Sequence, residues 1–392
     1  MGAPAEVVWD ESLLGYDMGD DHPLNPIRLQ LTMRLAAALG VLDGVTPHLP
    51  ERADDELIER VHDSGYLAAV RAAPTSGYDV GHGLGTADNP IFPGMHEASA
   101  LIVGGSVLGA ELIVNGTTDR AVSIAGGLHH AMPGHAAGFC VYNDPAIAIS
   151  WLLEHGIDRV AYVDVDVHHG DGVQAAFYGD PRVLTISLHQ HPRTLWPGTG
   201  YAREIGTGGA EGMAVNLPLP PGTTDGPWLR AFHAVVPSLL SAFQPQVLVT
   251  QCGVDSHRND PLADLALTVD GHRATYRAMR DLALRYAGGR WLALGGGGYD
   301  LVRVVPRSWS HLLATALDRD VDPNRPLPAD WVALATGLVP PHVVLPSSMS
   351  DNADTTFEPW GGSVDDQVDL AIRDTRRAVF PLHGLDPDDP RD

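Results

Sequence analysis

The chain has 392 residues, 44% of them hydrophobic, and its 49 acidic residues against 25 basic ones give a formal net charge of −24. This is a globular composition with enough apolar content for a sizeable core. The acidic excess argues against a nucleic-acid binder and against attraction to anionic lipid; it suits solubility or a partner that presents lysines.

Cys140 and Cys252 are the two cysteines, each inside an apolar segment, so no disulfide framework is expected and a reducing cytoplasm fits. The start, MGAPAEVVWDES, lacks the basic and apolar regions of a secretory signal, and Glu6 stands where a myristoylation motif wants Ser or Thr. PIRLQLTMRLAAALGVL and DDELIERVHDSGYLAAVRAA then read as helices. ALIVGGSVLGAELIVNG, broken by Gly104, Gly105 and Glu111, reads as a buried helix rather than a membrane span. From about residue 120 to 316, β-branched runs alternate with amphipathic helices. The expected strands are RAVSIAG, RVAYVDV, RVLTISL, QVLVTQCG and RWLALGG. DPAIAISWLLEHG and DGHRATYRAMRDLALRYAGG are helices among them. That alternation predicts βα units around a mostly parallel sheet. One domain over residues 1–318 is expected, followed by a Pro- and acid-rich extension, 319–392, with one helix near SVDDQVDLAIRDTRRAVF. The extension reads as an arm over the domain or a neighbouring subunit, or as a surface tail.

Each polar cluster follows an expected strand: His129 and His130, then Asp166 and His168, His189, Asp255, and Tyr299 after four glycines. In a parallel sheet these strand ends share one edge, where ligand sites form. Asp164, Asp166 and His168, two residues apart, lie on one side of an extended chain, and burying such carboxylates calls for a cation. Asp166, His168 and Asp255 supply an O/N/O set with an open position, as catalytic zinc requires; Mn²⁺ or Fe²⁺ would suit it too. His129 and His130 can share one site only if the chain bends at Gly126 and Gly127. Asp164 and Asp171 are natural partners for their second nitrogens, and Tyr299 is a candidate oxyanion donor. Taken singly, a His after a strand is usually a hydrogen-bonded core residue and a Tyr after glycines is usually packing. His169 is expected behind the site, and Cys252 as a buried filler.

GGLHHAMPGHAAGFCVYND, YVDVDVHHGDGVQAAFY, TISLH with WPGTG, QCGVDS and LALGGGGY, with HPLNPIRLQLT and DNPIFPG upstream, together resemble the zinc-dependent histone deacetylase family over about residues 7–316. Within it, YDMGDDHPLNPIR, GVDSHRNDPLADLALT and GGGGYDLVRVVPRSW look like the bacterial acetoin-utilization deacetylases. The resemblance implies an arginase-like three-layer α/β fold, a central, mostly parallel sheet of about eight strands with helices on both faces. It also implies hydrolysis of N-acetyl-lysine on a protein, with an acyl-CoA synthetase as the favoured partner.

By resemblance, Asp166, His168 and Asp255 hold Zn²⁺ or Fe²⁺. His129 and His130, backed by Asp164 and Asp171, are the acid–base pair, with His130 favoured as base, and Tyr299 polarises the acetyl carbonyl. Asp88 matches a rim aspartate; Gly138, Phe139 and Trp196 match tunnel walls, Leu262 the rim, and Arg28 an internal cavity. Asp164, Asp166, His168, Ser187 and Leu188 match a structural potassium site; Phe177, Asp180 and Val183 match a second. Trp196 departs from the Phe common there, which narrows the expected tunnel, and AMPGHAAG replaces a more charged insert. The rivals are an arginase-type dimanganese enzyme, a deacetylase of small amides such as acetylpolyamines, and a non-catalytic acetyl-lysine binder. Oligomeric state is left open.

Overall fold

In the computed structural model residues 5–392 are described, so the first four residues of the segment read for a leader lie outside them. The strands are β1 (Glu6–Val7), β2 (Arg120–Ser123), β3 (Val160–Asp164), β4 (Val183–Gln190), β5 (Ala214–Leu219), β6 (Val247–Gln251) and β7 (Trp291–Leu294). They form one parallel sheet in the order β1-β2-β7-β6-β3-β4-β5. The described residues thus hold seven strands where about eight were expected. β3 sits between β4 and β6, Asp164 registering with Ser187 on one side and Gln251 on the other. All five of its residues are buried, and Val160 to Val163 supply the apolar run that a strand covered on both faces needs.

The helices are α1 (Ile27–Ala38), α2 (Asp55–Ile58), α3 (Ser64–Ser76), α4 (Met95–Val114), α5 (Asp144–Glu154), α6 (Asp171–Phe177), α7 (Asp225–Phe243), α8 (Val269–Tyr286), α9 (Val305–Ala316), α10 (Ala329–Thr336) and α11 (Gln367–Val379). They cover both faces of the sheet in an arginase/deacetylase-like arrangement. Only α4 among the described residues has the length and apolarity to cross a membrane. Within its most apolar window 72% is buried in the fold, so this is a core helix.

The extension packs closely. Arg319 donates to the carbonyls of Gly40 and Val41, and Trp331 Nε1 to Leu31 O at 3.0 Å. Helix α11 lies on α7 and β5. Fully buried Arg376 donates to Ala234 O and to the carbonyls of Asp386, Pro387, Asp389 and Asp392, fastening the C-terminus.

Candidate metal centre and tunnel

The carboxyl ends of β2, β3, β6 and β7 deliver the polar side chains to one edge. After β3 the chain turns so that His168 Nδ1 lies 3.2 Å from Asp166 Oδ1 and 3.2 Å from Asp255 Oδ2. The ligand atoms of these three buried residues all lie within 4.8 Å of one another. Tetrahedral coordination with bonds of about 2.0–2.1 Å separates ligand atoms by roughly 3.3 Å. The His–Asp separations fit that span, and the O/N/O donors suit zinc or iron. The electrostatics point the same way. Burial and the adjacent Asp166 push Asp255 up to about 7. Burial opposes ionisation of Asp166 too, but His129 and His168 hold it well below the usual range. His168, despite burial, is raised to about 10 by hydrogen bonds to both carboxylates. Two buried carboxylates competing for one proton make a cradle that a divalent cation would neutralise. Gln251 Nε2 donates to Asp166 Oδ2 at 2.6 Å and the N–H of Gly297 to the same oxygen at 2.8 Å, fixing that carboxylate.

His129 and His130 are brought to one site by a bend. The Asp144 carboxylate accepts from the N–H groups of Gly127 and Leu128, and Gly127 has φ 96°. Nδ1 of His129 donates to Asp164 and Nδ1 of His130 to Asp171, each at 2.7 Å, while the two Nε2 atoms lie 2.9 Å apart. Burial lowers His129, but Asp164 and Asp166 outweigh it and raise the ring to about 9. Burial and then His129 lower His130 to about 4. Tyr162 also donates to Asp164 Oδ2, at 2.8 Å.

A cavity of about 300 Å³ is lined by Asp88, His130, Gly138, Phe139, His168, Leu195, Trp196, Leu262 and Tyr299. It unites eight of the predicted residues and adds Leu195. Asp88 is exposed at its mouth. The Trp196 ring stands 4.6 Å from His130, and Phe139 packs edge-on against Tyr299 at 5.6 Å. A Cβ on Gly138 would sit 2.5 Å from His130 Cδ2 and 2.6 Å from the Trp196 ring, so only glycine leaves this passage open. The Tyr299 hydroxyl has no hydrogen-bond partner among the described residues. Burial, with Asp255 and Asp166 nearby, pushes it well above its ordinary value, so it stays a donor.

Arg28 lies outside the cavity lining. Buried against Trp309, it donates to the carbonyls of Gly296 at 2.8 Å and Gly298 at 3.2 Å. Ser187 Oγ lies 2.9 Å from His189 Nδ1, beside Asp164. Phe177 ends α6 and Asp180 lies in the turn into β4, where Asp180 N donates to Phe177 O, Val183 N donates to Asp180 O, and Arg182 pairs with the Asp180 carboxylate. His169 hydrogen-bonds Thr199 and Gln174 behind the site.

Sequence reasoning passed over Gln251, Tyr162, Asp144, Asp260 and His22. Their signal was position: Gln251 ends β6, Tyr162 precedes Asp164 by two, and Asp144 opens α5. Asp260 follows Asp255 by five residues and accepts from the Leu262 and Tyr299 N–H groups; burial and Asp255 push it up to about 8. His22 packs edge-on against Phe139 at 4.6 Å, and its Nε2 lies 3.2 Å from the Asp88 carbonyl oxygen. A larger cleft, about 640 Å³, lies between residues 191–203 and α11 and includes none of the metal-site residues.

Residues 22–316 match the histone deacetylase domain. The acetoin utilization protein AcuC of Bacillus subtilis (strain 168) is 39% identical over 351 residues, 88% of this chain and 90% of its own length. AcuC of Staphylococcus xylosus is 36% identical over 355 residues, 90% and 91% of the two chains. The crystal structure of an HDAC homolog complexed with SAHA superposes with a TM-score of 0.83 at 28% identity, covering 95% of this chain and all of that one. The HDAC homolog from Aquifex aeolicus gives 0.82 at 27%, with the same coverage. The chain belongs to the zinc-dependent histone deacetylase family, is closely related to the bacterial AcuC-type deacetylases, and is a metal-dependent hydrolase for substrates of the acetyl-lysine type.

Proposed function

We propose that the protein hydrolyses N-acetyl-lysine on a cytoplasmic protein, an acyl-CoA synthetase or another metabolic enzyme, to free lysine and acetate. The observation that carries this is the narrow cavity that runs from exposed Asp88 past Gly138, Phe139 and Trp196 to end on His130, His168 and Tyr299. An acyl-lysine stem fits such a passage, with peptide N–H groups outside it for Asp88 to accept and Leu262 on its rim.

Asp166, His168 and Asp255 would hold Zn²⁺ or Fe²⁺. When bound, the ion supplies Lewis-acid polarisation and acidifies water. His130, its Nδ1 held by Asp171, takes a proton from the attacking water; Tyr299 donates to the oxygen that gains charge. The amide C–N bond then breaks as a protonated imidazole of the His129–His130 pair gives its proton to the lysine nitrogen. Water is consumed, and acetate and the amine leave. Arg28 holds the glycine loop that carries Tyr299. The oxygens of Asp164, Asp166, His168, Ser187 and Leu188 are assigned a structural K⁺, and those of Phe177, Asp180 and Val183 a second.

The test assays purified protein against acetyl-lysyl peptides, an acetylated acyl-CoA synthetase and acetylpolyamines. Stoichiometric acetate from the protein or peptide supports the reading. Turnover of acetylpolyamines alone would replace the substrate class, and no acetate from any would reject it.

A further inference from the structure

Tyr299 stands on a backbone that has little stiffness of its own. It follows Gly295, Gly296, Gly297 and Gly298, with φ 148° at Gly296 and 146° at Gly298. From behind, Arg28 grips the carbonyls of Gly296 and Gly298, and Asp166 accepts from the Gly297 N–H. Neither holds Tyr299 itself. Asp260 does: its Oδ2 accepts from the Tyr299 N–H at 2.8 Å and its Oδ1 from the Leu262 N–H at 3.0 Å. Asp260 is 8% exposed and makes no ion pair among the described residues, so these two N–H groups are the bonding partners of its carboxyl. Asp260 is in turn placed by its own N–H, which donates to His257 O at 2.8 Å in the turn that follows Asp255.

We propose that Asp260 is a positioning residue, which ties the Tyr299 backbone to the Asp255 turn and so sets the phenol hydroxyl at a fixed height above the metal triad. Through the same carboxyl it holds the rim residue Leu262 in step with Tyr299. The inference rests on Tyr299 being the oxyanion donor and deepens that assignment. A glycine-rich backbone without this tie samples conformations in which the hydroxyl misses the developing oxyanion, and misplacement by about 1 Å costs ~10²-fold.

The experiment is a double-mutant cycle with Asp260→Ala and Tyr299→Phe, read as kcat and KM on an acetyl-lysyl peptide together with metal content and melting temperature. Asp260→Ala is expected to lower kcat roughly 10- to 100-fold, within the ~10²–10³ that one such donor is worth. Metal should stay near one ion per chain. Asp260→Asn, which keeps one acceptor oxygen, should fall between. In the Tyr299→Phe background Asp260→Ala should leave kcat within about 3-fold and move only KM, through Leu262. Equal kcat losses in both backgrounds, or loss of metal or fold in both Asp260 variants, would make Asp260 a structural residue and overturn the proposal. A slow Tyr299→Phe enzyme beside a normal Asp260→Ala enzyme would overturn this inference alone. Normal turnover by Tyr299→Phe would remove the donor assignment as well.

Discussion

His129 and His130, neighbours in the chain, meet Nε2 to Nε2 at 2.9 Å, each with its Nδ1 proton given to its own aspartate. With both Nδ1 atoms bound to aspartates, the two Nε2 atoms are the positions at which this pair can take up or release a proton. Burial lowers His129, but Asp164 and Asp166 raise it to about 9, whereas burial and then His129 lower His130 to about 4. His130 also faces the cavity. His130→Ala should therefore lower kcat by ~10²–10⁴, the range for a general base, with metal content unchanged. Turnover within a few-fold of the parent would move the base elsewhere.

The metal site makes a separate prediction. The protein should carry about one divalent ion per chain, and prolonged chelation should abolish turnover until Zn²⁺, Fe²⁺ or Co²⁺ is returned. Asp255→Ala should lose the ion in elemental analysis. Two equivalents of Mn²⁺ with cleavage of arginine would instead fit an arginase-type enzyme.

Asp88 is the exposed carboxylate that lines the cavity, whereas His130 and His168 in the same lining are buried. Asp88→Ala should raise KM for acetyl-lysyl peptides about 10-fold, since a charge-assisted hydrogen bond is worth ~1.5–3 kcal/mol, and leave kcat nearly unchanged. A small acetylated amine that never reaches the rim should show little change. Matching losses on both substrates would mark Asp88 as a support of the fold.

The extension makes a prediction about stability and pH. Asp351 accepts from His257 Nε2 and from Arg307, both at 2.8 Å, and from the Val269 N–H at 3.0 Å. Burial opposes its charge, but these donors hold it far below the usual carboxylate range. A carboxylate depressed on folding stabilises above its unfolded value of about 3.9, and that contribution fades as pH falls below it. Asp351→Asn should thus lower the melting temperature at pH 7, by the equivalent of on the order of 2 kcal/mol after solvent screening. The gap should narrow below about pH 4. A gap that stays constant from pH 7 to pH 3 would rule out the charge of Asp351 as its source.

The central strands β2, β3, β4, β6 and β7 were legible because burial on both faces writes them as β-branched runs. β5 was missed because it is an edge strand carrying Asn216 and Pro218, and β1 because two residues leave no period to read. The residues that converge on the site were legible because they follow strands. What a sequence cannot display is the partner of a side chain. Asp260 looks like an ordinary loop aspartate until its carboxyl is seen holding Tyr299, and His22 looks like a surface histidine until its ring is seen against Phe139. Arg28 was assigned to an internal cavity by resemblance, and its hydrogen bonds to the glycine-loop carbonyls are a partnership that sequence does not display.

Tyr299→Phe tests the central claim most directly. The substitution removes one hydroxyl that has no partner among the described residues, so fold and metal content should survive. On an acetyl-lysyl peptide, kcat should fall by ~10²–10³, or about 3–4 kcal/mol, because the donor engages chiefly in the transition state. Peptide affinity should change little. Turnover near that of the parent enzyme would contradict the account, since the hydroxyl assigned to the developing oxyanion would then take no part in the reaction.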